Sequence, residues 1–121
     1  ATAAEAATFP AAVRARGLQA GVMIEVPAAA LTAAAILAEV DFASIGTNDL
    51  LQYLFAADRL AGPLTGLLDP WQPALLQLIR TVGEASRATG RPVSVCGEAA
   101  DLAVTASDAA TGRARVATMT L

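Results

Sequence analysis

The sequence predicts an α/β fold built on a parallel sheet, and three observations carry that prediction. Short apolar runs at 21–26, 42–45 and 92–96 each end at a Gly or Pro, and a weaker run lies at 116–119. Stretches with helical spacing separate them, and strands alternating with helices are the pattern of parallel sheets. About four such units suit either a barrel or a doubly wound sheet. A complete (β/α)8 barrel usually takes roughly 200 residues or more, so a chain of 121 residues has the length of half of one. Half a barrel exposes two strand edges and an unfilled interior. We therefore expect a missing half, an oligomer or an altered arrangement.

In chain order, residues 1–16 are rich in alanine, with Glu5, Arg14 and Arg16, and read as a helix or frayed lead-in that Gly17 ends. Gly21 to Val26 forms a buried strand with one carboxylate, Glu25, near its end. Pro27 suits the first position of a helix, predicted over Ala28 to Ala38. The second strand covers Phe42 to Ile45 and stops at Gly46. Thr47 is placed to cap a helix that contains Asp49 to Ala56. Gly62, Pro63, Gly66 and Pro70 mark residues 58–70 as a loop. A long amphipathic helix follows over Pro73 to Thr89, with Leu75, Leu76, Ile79, Val82 and Gly83 on one side, and Gly90 stops it. The third strand is Pro92 to Cys96, broken by Gly97. A helix near Leu102 to Ala110 and a fourth strand at Val116 to Met119 complete the prediction.

Composition narrows the function. Hydrophobic residues make up 55% but aromatics only 4%, and 31 residues are alanine, so the core is built from small aliphatic side chains. The net charge is −3, and all eight basic residues are arginine. A mildly acidic chain without basic clusters offers no electrostatic footing for nucleic acid or an anionic membrane. Cys96 is the single cysteine, which excludes an internal disulfide framework and a cysteine-rich zinc site. The absence of histidine excludes a histidine-based triad and a self-contained phosphohistidine. The apolar stretch Ala28 to Ala38 is bracketed or broken by Pro27, Thr32 and Glu39, short of a membrane span. No basic region precedes an apolar segment at the N-terminus, so no signal peptide is expected. The expectation is a soluble cytoplasmic domain.

Candidate chemistry gathers after the strands. Glu25 and Asp49 lie at or just beyond the ends of consecutive strands, and neighbouring strands are about 4.8 Å apart. Two carboxylates so placed reach one cation, and magnesium is commonly held by one or two carboxylates plus substrate phosphate oxygens. The plainer alternative has Glu25 capping the next helix and Asp49 favoured in a first turn by the helix dipole. Asn48, at the start of the same helix, is either a phosphate contact or a turn residue. Arg59 is either a bidentate partner for a phosphate or carboxylate, or a surface arginine beside Asp58. Cys96 is either a proton donor to carbon or a small buried hydrophobe. Glu98 either orients that thiol or caps the next helix. Four of these candidates fall after strand ends, where barrels and doubly wound sheets bind ligands.

These residues also carry a resemblance. Asp41-Phe42-Ala43-Ser44-Ile45-Gly46-Thr47-Asn48-Asp49-Leu50-Leu51-Gln52-Tyr53, with Ala57-Asp58-Arg59, resembles the signature of phosphoenolpyruvate-utilising enzymes. Gly21 to Ala30 and Val95-Cys96-Gly97-Glu98 match two further motifs of that family, in the same order. Pro27-Ala28-Ala29-Ala30, Gln52-Tyr53 and Ala57-Asp58-Arg59 look most like its enzyme I branch, with pyruvate phosphate dikinase and phosphoenolpyruvate synthase as the other branches. The match is strongest over 21–98 within a single domain, 1–121.

The resemblance implies the C-terminal half of a phosphoenolpyruvate-binding (β/α)8 barrel. It implies Mg²⁺ held by Glu25 and Asp49, substrate phosphate contacted by Asn48 and Arg59, and Cys96 protonating C3 of the enolate to give pyruvate. The phosphoryl group would pass to a histidine on a separate domain and onward to the carrier HPr, in a cytoplasmic sugar phosphotransferase system. A homo-oligomer without membrane insertion is expected. Ala43 departs from the larger hydrophobe usual before the serine, and past Glu98 the match fades. The family's other substrate-binding arginines and its phosphohistidine belong to segments outside this sequence. A non-catalytic relative that oligomerises or binds a ligand, or a dikinase or synthase fragment, is the alternative expectation.

Overall fold

The computed structural model describes residues 2–58, 60 and 62–98. The expected helix near Leu102 to Ala110 and the strand at Val116 to Met119 lie outside the described residues, as does Arg59. Three strands, β1 (Gly21–Ile24), β2 (Phe42–Gly46) and β3 (Val93–Cys96), form one sheet in the order β1-β2-β3. Both pairings are parallel, with Val22 opposite Ala43, Ala43 opposite Val93, Ile24 opposite Ile45, and Ile45 opposite Val95. A mixed α/β architecture on parallel strands is therefore present.

Strand alternation sorts these residues onto two faces. Val22, Ile24, Ala43, Ile45, Val93 and Val95 pack into one apolar cluster with the helices. The other face carries Met23, Ser44 and Ser94, none fully buried, and Met23 is 38% exposed. Ser94 Oγ donates to Ser44 Oγ at 3.0 Å there, a polar rung across the two strands.

The helical layer differs from the sequence prediction in four places, each with a local cause. The lead-in is two short helices, α1 (Ala3–Ala6) and α2 (Pro10–Arg14). A Thr2–Glu5 capping box starts the first, and Pro10 forces a new start for the second. The helix after β1 is split into α3 (Pro27–Leu31) and α4 (Ala33–Glu39). Thr32 between them donates its hydroxyl to the Ala28 carbonyl at 2.8 Å, a back-bond that bends helices. β1 itself ends two residues early: Val26, extended before Pro27, is the N-cap of α3, so Glu25 and Val26 leave the sheet. The expected loop over 58–70 contains a 3₁₀ helix, Gly62–Leu68.

α5 (Thr47–Phe55) follows β2 directly, and α6 (Pro73–Thr89) runs as predicted, closed by Gly90 at φ 69°. Of the predicted side, Leu75 and Val82 are buried and Ile79 packs against the core, while Leu78 and Ala85 complete the buried stripe. Leu76 lies outside the stripe and is 42% exposed. α6 packs on α3 and α4, where Ala29, Ala30 and Ala33 are fully buried. Methyl side chains let these helices approach closely, and the bulk of the core falls to a few large residues such as Ile36, Leu37, Leu50 and Leu75.

Asp41 ties the N-terminal end of the sheet. Its carboxylate accepts from Arg14 Nη2 at 2.8 Å, Arg14 Nε at 3.1 Å and the Ala20 amide at 2.8 Å, and Arg91 Nη1 approaches to 3.9 Å. The Arg14 hydrogen bonds foremost, then the Ala20 amide, hold its carboxyl below the usual carboxylate range. A depressed folded-state value means that this stabilisation is fully present above the ordinary carboxylate range. It is lost as pH falls through the depressed value. Asp41→Asn is expected to lower the melting temperature at neutral pH and to flatten its decline in acid. Thermal melts at a series of pH values would show this, and parallel curves for the two proteins would contradict it. No helix among the described residues is long and apolar enough to cross a membrane.

Candidate functional site

The site lies at the C-terminal end of the sheet, on the side that Met23, Ser44 and Ser94 share. Two residues on from Ser44 and Ser94, alternation returns β2 and β3 to that side at Gly46 and Cys96, and Glu25 follows just past the end of β1. Gly46 and Cys96 are register partners. The Glu25 side chain lies over Gly46: a Cβ built on Gly46 would stand 2.7 Å from both Cγ and Oε1 of Glu25. Glu25 is half-buried and does not cap α3, whose N-cap makes no side-chain hydrogen bond. Among the described residues its carboxylate forms no ion pair.

Asp49 is in the first turn of α5 and exposed, its Oδ1 3.3 Å from Gln52 Nε2. It also lines a shallow depression of about 330 Å³ with Gln52, Tyr53, Ala56, Ala57 and Asp58. Glu25 and Asp49 thus flank the end of the same strand, one held over its last residue and one three residues beyond. Such a donor pair suits a hard cation that keeps waters and substrate oxygens in its shell. No cluster of three His, Cys, Asp or Glu able to cage a metal occurs among the described residues.

Cys96 is half-buried, and its thiol donates to the Ile45 carbonyl at 3.2 Å. Two bonds from the start of α5 secure the chain around it. Thr47 Oγ1 donates to the Cys96 carbonyl at 2.8 Å. The Glu98 amide donates to Asn48 Oδ1 at 3.0 Å. An amide N–H needs an acceptor, so the Asn48 oxygen faces it, leaving the two Nδ2 donors unengaged among the described residues. Gly97, between the bonded groups, has φ 94°, and a Cβ there would stand 2.6 Å from Thr47 Oγ1 and 2.7 Å from Asn48 Oδ1.

Thr47 corrects its expected role. It is the first helical residue, Gly46 is the N-cap, and the hydroxyl reaches the next strand instead of its own helix. Sequence reasoning missed Thr47, Gly46 and Gly97 as parts of the site. The available signal was a glycine beside two of the candidate stretches, at Gly46 before Thr47-Asn48-Asp49 and at Gly97 after Cys96.

The model of the family described as PEP-utilising enzyme, PEP-binding domain, matches residues 4–108. The chain belongs to this family. Three proteins named phosphoenolpyruvate-protein phosphotransferase illustrate the similarity. The one from Streptomyces coelicolor (strain ATCC BAA-471 / A3(2) / M145) is 54% identical over 99 residues, covering 80% of this chain and 18% of its own length. That from Lactococcus lactis subsp. cremoris is 49% identical over 86 residues, 71% of this chain and 15% of its own. That from Cupriavidus necator (strain ATCC 17699 / DSM 428 / KCTC 22496 / NCIMB 10442 / H16 / Stanier 337) is 54% identical over 85 residues, 69% of this chain and 14% of its own. The chain therefore spans less than a fifth of each of these relatives. The resemblance stated from three motifs is upheld at the level of the family, and every strand end of the site falls inside its PEP-binding domain.

Proposed function

We propose that this chain is the C-terminal PEP-binding portion of a phosphoenolpyruvate–protein phosphotransferase of the enzyme I type, contributing about half of a (β/α)8 barrel. The observation that supports this reading best is the common edge on which Glu25, Asp49 and Cys96 lie, at the C-terminal end of parallel strands. Barrel enzymes keep their chemistry at that end.

In this reading Glu25 and Asp49 would hold Mg²⁺, which would supply positive charge against the phosphoryl oxygens. Asn48, through Nδ2, and Arg59 grip the phosphate. The P–O bond to the enol oxygen breaks, and the phosphoryl group passes to a histidine nitrogen. This chain contains no histidine, so the acceptor belongs to another segment, which hands the group on to HPr. The enolate left behind takes a proton from the Cys96 thiol at C3 and becomes pyruvate, and water restores the thiol proton. Positioned charge supplies most of the acceleration in such transfers. The protein would work in the cytoplasm, within a sugar phosphotransferase system. The Met23–Ser44–Ser94 face, which the described helices leave incompletely buried, supports a second copy or another barrel segment as its neighbour, and light scattering distinguishes a homo-oligomer from a monomer.

Titration of the chain with phosphoenolpyruvate, followed by amide NMR shifts at residues 46–49 and 96–98, is expected to require Mg²⁺. Glu25→Gln and Asp49→Asn should each weaken that binding by at least about tenfold. The isolated chain should neither retain label from phosphoenolpyruvate nor release pyruvate rapidly. Binding indifferent to chelation of Mg²⁺, or stable protein labelling, would overturn the reading.

A further inference from the structure

We infer that Thr47 is a positioning residue for the Cys96 thiol, acting through the Cys96 backbone; this rests on the proposed role of Cys96 as proton donor. Thr47 is 1% exposed and is the one buried polar residue among those described. A hydroxyl at the first position of a helix has a solvated or capping role open to it. This one is committed to the last carbonyl of β3 at 2.8 Å. That carbonyl belongs to the residue whose thiol faces the site.

Three further contacts make the bond directional. The thiol donates to the carbonyl of Ile45, two residues before Thr47 on the chain, at 3.2 Å. Cys96 is thus held at its carbonyl and at its sulfur by residues flanking Gly46, the glycine under Glu25. The Glu98 amide bonds Asn48 Oδ1 at 3.0 Å and fixes the far side of Gly97. Gly97 has no room for a Cβ, because Thr47 Oγ1 and Asn48 Oδ1 fill that space. The Thr47 hydroxyl and the Asn48 carbonyl therefore form a clasp on residues 96–98. The clasp sets the distance between the thiol and the carboxylates of Glu25 and Asp49. A threonine that only filled space would be replaced by valine without consequence for the thiol.

The test measures Cys96 alkylation by iodoacetamide across pH, alongside amide hydrogen exchange of Ile45 and Val95, in the unsubstituted chain, Thr47→Val and Thr47→Ser. Loss of one hydrogen bond is expected to raise alkylation by about three- to tenfold in Thr47→Val and to displace its pH profile. Serine, which keeps the hydroxyl, should restore both. A purely structural role would raise alkylation only in proportion to sheet exchange, and that result, or an unchanged thiol, overturns the inference. The unsubstituted chain provides a check that does not depend on the folding of any variant. The Glu98 amide should exchange at least about tenfold more slowly than in an unstructured peptide, and an unprotected Glu98 overturns the clasp. These readouts need no ligand. Failure of phosphoenolpyruvate to bind while Thr47→Val still moves the thiol would refute the proposed function alone; normal binding with an unmoved thiol would refute the clasp alone.

Discussion

Leu75→Ala is expected to remove about 2–5 kcal/mol of stability, the range for emptying a buried leucine site. Leu75 is fully buried in the first turns of α6, inside the cluster that joins this helix to α3, α4 and the sheet. The helices that α6 packs on limit relaxation: α3 and α4 bury Ala29, Ala30 and Ala33, which have no flexible atoms to move into a vacated volume. Domains of this size hold about 5–15 kcal/mol in total, so one truncation takes a large share. The urea midpoint should fall by about 1 M or more at unchanged slope. The control is Leu76→Ala, one residue on, whose side chain is 42% exposed and whose loss should stay within about 0.5 kcal/mol. Equal shifts in the two variants would refute the packing described for α6.

Gly46→Ala should separate binding from folding. The φ of −84° at Gly46 is open to any residue, so alanine brings no backbone strain. Its Cβ, however, needs the space occupied by the Glu25 Cγ and Oε1 atoms. A flexible carboxylate side chain gives way at small cost, and the fold should survive with its circular dichroism intact. The displaced Glu25 then no longer holds its carboxylate over the end of β2. Mg²⁺-dependent binding of phosphoenolpyruvate is expected to drop by about 10- to 100-fold, as when the support of a metal ligand is removed. Calorimetric titration of the folded variant decides it, and unaltered affinity would take Glu25 out of the proposed ion site.

Much of this arrangement was legible in the sequence because its signals are local. Strand alternation, Pro27 at a helix start and Gly90 at a helix stop placed β1 to β3 and α6 within two residues. The predicted strand ends put Glu25 just past β1, Asp49 just past β2 and Cys96 at the end of β3, which is where the chain carries them. Misreadings arose where a side chain made a choice that spacing does not record. Thr32 offers the same hydroxyl in a continuous helix as in a broken one, and only its bond to Ala28 decides. Leu76 and Leu78 are equally apolar, and only the packing of α6 leaves the first exposed and the second buried. Thr47 looked like a cap because local rules favour caps, whereas its partner is 49 residues away in sequence. Gly46 and Gly97 matter through volumes that other residues occupy, which no one-dimensional pattern displays.

The first turn of α5 has a consequence for how the chain tolerates change in length. Consecutive helical residues are about 100° apart around the axis, and Thr47, Asn48 and Asp49 use three successive steps. The first meets a strand carbonyl, the second a loop amide, and the third solvent. One residue inserted between Gly46 and Thr47 would rotate all three by one step and leave each facing the wrong partner. Single exchanges within this turn alter one contact at a time; such an insertion alters every one of them together.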